Sequence, residues 1–138
     1  MQGNAVDSSG NVYVSRLAQL DVVKITPNGT ATTFANSSMF TLAMGIAIDS
    51  SDNIYITDQH RVLKFTLTGE MSVVAGGTQG SLNGRYAGIC GTSGATDGLA
   101  ANATFEMPVA IAAAPDNVFY VMDGPGRQGL RLRKIYTV

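Results

Sequence analysis

Apolar and polar residues alternate with period two along short runs, and the same runs return at a fixed spacing. "GNAVDSSGNVYVSR" from Gly3 and "GIAIDSSDNIYITD" from Gly45 carry the same pattern at an offset of 42 positions. In each, an apolar stretch ends at an aspartate (Asp7, Asp49) and a Ser-Ser-Gly/Asp-Asn turn follows. An alternating segment such as Asn53-Ile54-Tyr55-Ile56-Thr57 then leads away. This alternation, rich in β-branched residues and punctuated by turns, predicts a β-hairpin rather than a helix. The match continues through "VVKITPNGTATTFA" (Val22 to Ala35) and "VLKFTLTGEMSVVA" (Val62 to Ala75), now offset by 40. Thr-Pro-Asn-Gly and Thr-Leu-Thr-Gly are turn signals between a third and a fourth strand.

A third unit is present in worn form. "PVAIAAAPDNVFYVMD" (Pro108 to Asp123) repeats the strand–turn–strand, with Ala110 where the other units have Gly3 and Gly45. Its turn is one residue shorter and the strand after Asn117 one residue longer. "LRLRKI" (Leu130 to Ile135) then matches "HRVLKF" (His60 to Phe65), and the sequence shows no fourth strand in this unit. A four-stranded sheet of about 40 residues, repeated in tandem, is the pattern of a β-propeller blade. Such a sheet has two apolar faces, and packing blades face to face covers both.

The expected fold is therefore all-β, with about eleven strands in three antiparallel sheets and essentially no helix. Residues 1–138 form a single unit. Blade 1 covers about 3–35, blade 2 about 45–76, a glycine-rich inter-blade segment 77–107 and a partial blade 3 about 108–138.

Composition narrows the function classes. Apolar residues make up 45% and charged residues 14%, enough to bury a core. A net charge of −1 gives no general attraction to nucleic acid or anionic lipid. The basic residues are scattered apart from "RLRK" at Arg131 to Lys134, so no nucleic-acid partner is expected. No apolar run approaches the roughly 20 residues that span a bilayer as a helix, and no membrane partner is expected. No basic-then-apolar leader is visible in "MQGNAVDSSG". That fits a cytoplasmic chain or an extracytoplasmic fragment whose leader has been removed. A single cysteine, Cys90, excludes an internal disulfide framework. Asn-x-Ser/Thr triplets at Asn28, Asn36 and Asn102 arise readily by chance in a chain so rich in these residues.

"GIAIDSSDNIYITD…HRVLKF…G…VVAG" resembles an NHL repeat. "GLAANATFEMPVAIA" is similar to the inter-blade segment of bacterial NHL proteins, where a "DG" stretch leads to Phe-x-x-Pro; Asp97-Gly98, Phe105 and Pro108 stand at those positions. The resemblance implies an Asp after the second strand and an Arg opening the third. These are Asp58 with Arg61 in unit two and Asp123 with Arg131 in unit three. Unit one departs, with Arg16 and Asp21 at the two positions, the signs exchanged. An ion pair bridging the strands explains all three, and a structural role is expected of these six residues.

The family most often forms six-bladed rings, whereas three blades cannot close one. Two readings follow. Two chains pair into a six-bladed ring, or the chain is a piece of a longer protein. An open half-ring would leave two blade faces wet, against the usual limit of a few hundred Å² for an exposed apolar patch. A homodimer is the expected state.

Candidate chemistry is sparse. "GPGRQG" (Gly124 to Gly129) satisfies G-x-G-x-x-G, but an alternating strand follows where a dinucleotide site needs a helix, so it reads as a hairpin loop. The segment from Gly76 to Asn102 has no Lys to make a phosphate cradle. Cys90 has one histidine in the whole chain to pair with, His60, and reads as an inert thiol. Asp7 and Asp49 are the candidates for a metal: ending first strands, they could face the channel of an assembled ring and hold Ca2+. The competing reading is an Asx-type turn cap.

The expected function is a non-catalytic binding or scaffold module that recognises a protein, peptide or glycan through loops or channel, with no cofactor. The alternative is a metal-dependent propeller hydrolase, lactonase or lyase with a carboxylate-lined channel. One histidine per chain is too few for the zinc-dependent lyases that the resemblance brings in.

Overall fold

The computed structural model describes residues 3–36, 42–76, 103–124 and 129–136. Among them are eleven strands in three antiparallel sheets and no helix, as the alternation predicts. Blade 1 is β1 (Asn4–Val6), β2 (Val12–Arg16), β3 (Asp21–Ile25) and β4 (Ala31–Ala35). Blade 2 is β5 (Ala43–Ile48), β6 (Ile54–Asp58), β7 (Arg61–Phe65) and β8 (Met71–Ala75). Blade 3 is β9 (Pro108–Ala114), β10 (Val118–Asp123) and β11 (Arg131–Tyr136). Within each blade, consecutive strands pair in chain order. Cys90, Asp97-Gly98, Asn102 and the centre of the Gly124–Gly129 loop lie outside the described residues.

The repeat holds down to its irregularities. The register between third and fourth strands shifts at Val22/Val23 in blade 1 and at the equivalent Val62/Leu63 in blade 2. Both hairpins there close with a glycine at φ 89°, Gly29 and Gly69, donating to Thr26 and Thr66 carbonyls at 2.9 Å. Glycine takes that left-handed conformation without steric cost.

Because side chains alternate across a sheet, each blade has a forward face, toward the next blade in the chain, and a rear face, toward the preceding one. Tyr13, Val22 and the half-buried Ala5 and Phe34 of blade 1 pack forward on Ile54, Ile56, Leu63 and Phe65 of blade 2. Tyr55 and Val62 pack forward on Phe119, Val121 and Ile135 of blade 3, with Phe105 and Ala103 sealing the junction. Aromatic pairs cross both interfaces: Phe34, itself edge-on to Tyr13 at 5.2 Å, meets Phe65 edge-on at 5.9 Å, and Tyr55 lies tilted 4.0 Å from Phe119.

The inner strands approach closely enough to exclude a side chain. A Cβ on Gly3 would lie 2.7 Å from the Met44 carbonyl oxygen, and one on Gly45 would lie 2.8 Å from the Ala110 Cα. These two glycines let the backbone of one blade rest on that of the next. Ala110, their counterpart in blade 3, is exposed.

Candidate functional site

The Asp-Ser-Ser turns hold the metal candidates Asp7 and Asp49. The Asp7 carboxylate accepts the backbone N–H groups of Ser9 (3.0 Å) and Asn11 (2.9 Å), the Asn11 amide (2.8 Å) and the Tyr13 hydroxyl (3.2 Å). Asp49 repeats the set with Ser51 and Asn53 N–H (2.9 Å each), the Asn53 amide (3.0 Å) and the Tyr55 hydroxyl (3.1 Å). Each carboxylate thus caps its turn and also receives a phenol from the strand that follows. Burial acts to raise both pKa values. The hydrogen bonds outweigh it, those from Asn11 and Asn53 foremost, and hold both below the usual carboxylate range. Burial, the Asp7 charge and the hydrogen bond push Tyr13 up to about 12.

Asp52 links one turn to the other. It sits at φ 61° where blade 1 has Gly10, and its carboxylate accepts the Ser8 N–H at 2.8 Å and the Ser8 hydroxyl. Among the described residues no three His, Cys, Asp or Glu side chains gather as a metal site.

The ion pairs occupy rear faces. Asp58 and Arg61 pair at 2.8 Å, both buried, while the other Asp58 oxygen accepts the Leu42 N–H at 2.7 Å. Asp123 accepts the N–H groups of Glu106 (2.9 Å) and Met107 (3.0 Å). In both blades the aspartate therefore fastens the segment that arrives from the preceding blade. The Arg133 guanidinium lies 3.1 Å from the Asp123 carboxylate, and Arg131 stands opposite Asp123 in the register. Arg133 stands at the position of Leu63 and reaches the ion pair because the arriving segment supports it. Its guanidinium lies 5.0 Å from the centre of the Phe105 ring and donates to the Thr104 carbonyl at 3.1 Å.

In blade 1 the Arg16 Nε donates to Asp21 at 2.8 Å; Asp21 is buried and the Arg16 side chain is partly exposed. Arg16 carries only donors, so it cannot accept the N–H groups that Asp58 and Asp123 accept. His60, which precedes Arg61, has a buried Nδ1 with no hydrogen-bond partner among the described residues.

The forward face of blade 3 is open. Its register aligns Ala114, Val118 and Tyr136 in one row, Ala112, Tyr120 and Lys134 in a second, and Ala110, Met122 and Leu132 in a third. Tyr120 is 38% exposed, Tyr136 64% and Leu132 65%. The Lys134 ammonium lies 4.9 Å from the Tyr136 ring centre and 5.9 Å from that of Tyr120. A hydrogen bond to Tyr136, then the phenolic charges, raise the Lys134 pKa.

No protein-family model matches the chain, and no curated protein matches it. Solved structures do match. A Bacteroides thetaiotaomicron protein of unknown function aligns with TM-score 0.71 and 24% identity over 91% of this chain and 32% of its own. A structure of the nidogen/laminin complex aligns with TM-score 0.68 and 17% identity, over 96% of this chain and 42% of the other. A gluconolactonase from Xanthomonas campestris aligns with TM-score 0.68 and 15% identity, again over 96% and 42%. The fold is a β-propeller. The chain spans about a third to two-fifths of the propeller chains it matches.

Sequence reasoning does not reach several residues that matter at the propeller's junctions. Tyr13 and Tyr55 could have been found from an aspartate six positions upstream of a tyrosine in both units. Ser15 and Thr57 could have been found from a hydroxyl two positions further on. Ser15 accepts the Gly3 N–H and donates to the Met44 carbonyl of the next blade, both at 2.9 Å. Thr57 accepts the Gly45 N–H at 2.8 Å. Arg133 left no signal in the spacing.

Proposed function

We propose that the chain is a non-catalytic binding module of the NHL-repeat type, recognising a protein, peptide or glycan through the loops or channel of an assembled propeller. The observation that carries this reading is how the carboxylates are used. Asp7 and Asp49 are held by turn N–H groups and phenols, and Asp21, Asp58 and Asp123 by guanidinium groups. A general acid or base needs a proton it can exchange with substrate, and a hard cation needs about six oxygen ligands. These side chains are committed to neither. The repeat residues "GIAIDSSDNIYITD" and the segment before Pro108 support the NHL type.

Propellers of similar fold include a partner in the nidogen/laminin complex and a gluconolactonase, so fold alone does not decide the class. Calcium titration by calorimetry, run beside a lactone-hydrolysis assay, separates the two. The module predicts no stoichiometric calcium binding and no turnover. Turnover abolished by chelation and restored by calcium would replace this reading with the hydrolase one.

A further inference from the structure

We infer that the open forward face of blade 3 receives the rear face of blade 1 from a second copy of this chain, giving two identical junctions and a closed six-bladed ring. The inference does not depend on what the module binds.

Both faces differ from the internal junctions at the positions that make contact. A forward face inside the chain has a glycine on its inner strand, a hydroxyl on its second strand and a tyrosine bonded to the turn aspartate. These are Gly3, Ser15 and Tyr13–Asp7 in blade 1, and Gly45, Thr57 and Tyr55–Asp49 in blade 2. Blade 3 has Ala110, Met122 and Tyr120 with Ala114 in place of the aspartate. The closest backbone approach and the polar contacts are replaced by apolar bulk. A rear face inside the chain carries an aspartate that fastens the arriving segment; blade 1 has Arg16 there. The two outer faces are thus matched in lacking the contacts of a covalently continuous junction.

They also match in chemistry. Blade 1's rear face presents Val6, 58% exposed, with half-buried Val12, Val14 and Ile25. Their blade 2 counterparts Ile54, Ile56 and Phe65 are fully buried beneath blade 1. Tyr120 corresponds to Tyr55 and Val12 to Phe119, so the Tyr55–Phe119 contact across the internal junction becomes Tyr120 on the partner's Val12. Lys134 is no obstacle. Lys24 and Lys64 hold the same place opposite Tyr13 and Tyr55 inside the chain, where a long stem packs and the ammonium reaches water. Three strands about 4.8 Å apart and about 20 Å long give a flat footprint of about 300 Å² per face. Four such faces reach the low end of the roughly 1,200–2,000 Å² of a stable interface.

The test is sedimentation equilibrium at micromolar concentration on the wild type, Tyr120→Glu and Val12→Lys, with circular dichroism to confirm folding. Leu132→Glu replaces Tyr120→Glu should that variant not fold. The wild type should have twice the chain mass and each variant the single mass. A one-to-one mixture of the two variants should regain the double mass, since one junction then pairs the two introduced charges, opposite in sign, and the other is wild type. A monomeric wild type would overturn the inference. So would a Val12→Lys variant that stays dimeric, because blade 3 would then be pairing with itself, or growth into larger open assemblies.

Discussion

Blade 2 presents Gly45, Thr57, Val62 and the Tyr55–Asp49 pair to blade 3; blade 3 presents Ala110, Met122, Leu132 and Tyr120 with Ala114 at the corresponding positions. The backbone is common to both. What differs is whether a further strand-matched sheet of the same chain packs on the face. A buried phenol needs an acceptor, since one left unsatisfied costs about 1–3 kcal/mol, and in blades 1 and 2 the turn aspartate supplies it. In the single chain Tyr120 is 38% exposed, where solvent can do so. The internal face is specified by polar contacts and close approach, the outer one by apolar area.

The largest expected difference lies in the ion pairs. Removing one partner of a buried pair costs about 3–5 kcal/mol because the other charge is stranded. Asp58→Ala should therefore lower the melting temperature by about 10 °C or more, at roughly 3 °C per kcal/mol for a chain of this size. Arg16→Met, which removes the partly exposed partner of the blade 1 pair and opens Asp21 to water, should change it less. Equal losses in thermal melts would remove the distinction between a rear face packed within its own chain and the outer rear face of blade 1.

The turn carboxylates come next. Asp7→Ala takes the cap from its turn and leaves the buried Tyr13 hydroxyl without its acceptor, for an expected loss of about 3 kcal/mol. Adding Tyr13→Phe should recover part of that loss, giving a double variant less unstable than the sum of the singles. In blade 3, Ala114→Asp should bring little gain to a chain kept monomeric by Val12→Lys, since Tyr120 reaches water in the single chain. A gain at Ala114 comparable with the loss at Asp7 in urea denaturation would show that exposure is not the deciding factor.

A smaller effect is expected with acid. Asp7 and Asp49 both have folded pKa values below their unfolded ones. Their contribution to stability is then fully present above about pH 4 and lost as pH falls through the folded values. The Asp7→Asn/Asp49→Asn variant should show a shallower decline in melting temperature below pH 4 than the wild type. An unchanged slope would mean that other groups govern acid unfolding.

Most of the architecture was legible because it was written more than once. The Gly3 and Gly45 units disclosed strands and turns through alternation and Asp-Ser-Ser punctuation, and the Asp58–Arg61 pairing followed from the NHL-repeat resemblance, which puts an Asp and an Arg at those strand ends. The Asp7 and Asp49 turns were legible as caps, whereas their phenol partners depend on which face each tyrosine takes. Arg131 was matched to Asp123 because it aligns with Arg61. The register sets Arg131 opposite Asp123, and what the alignment does not disclose is that Arg133 also reaches this aspartate, with Phe105 and Thr104 beside it from a segment far away in sequence. The distinction between forward and rear faces was invisible in the repeat, since it exists only once sheets stack.

Small-angle X-ray scattering on an absolute scale, at micromolar concentration, tests the central claim most directly. A closed pair of chains should give twice the 14.4 kDa chain mass and a radius of gyration of about 19 Å. The single chain mass with a radius of about 14 Å would contradict it, leaving the outer faces of blades 1 and 3 uncovered in solution.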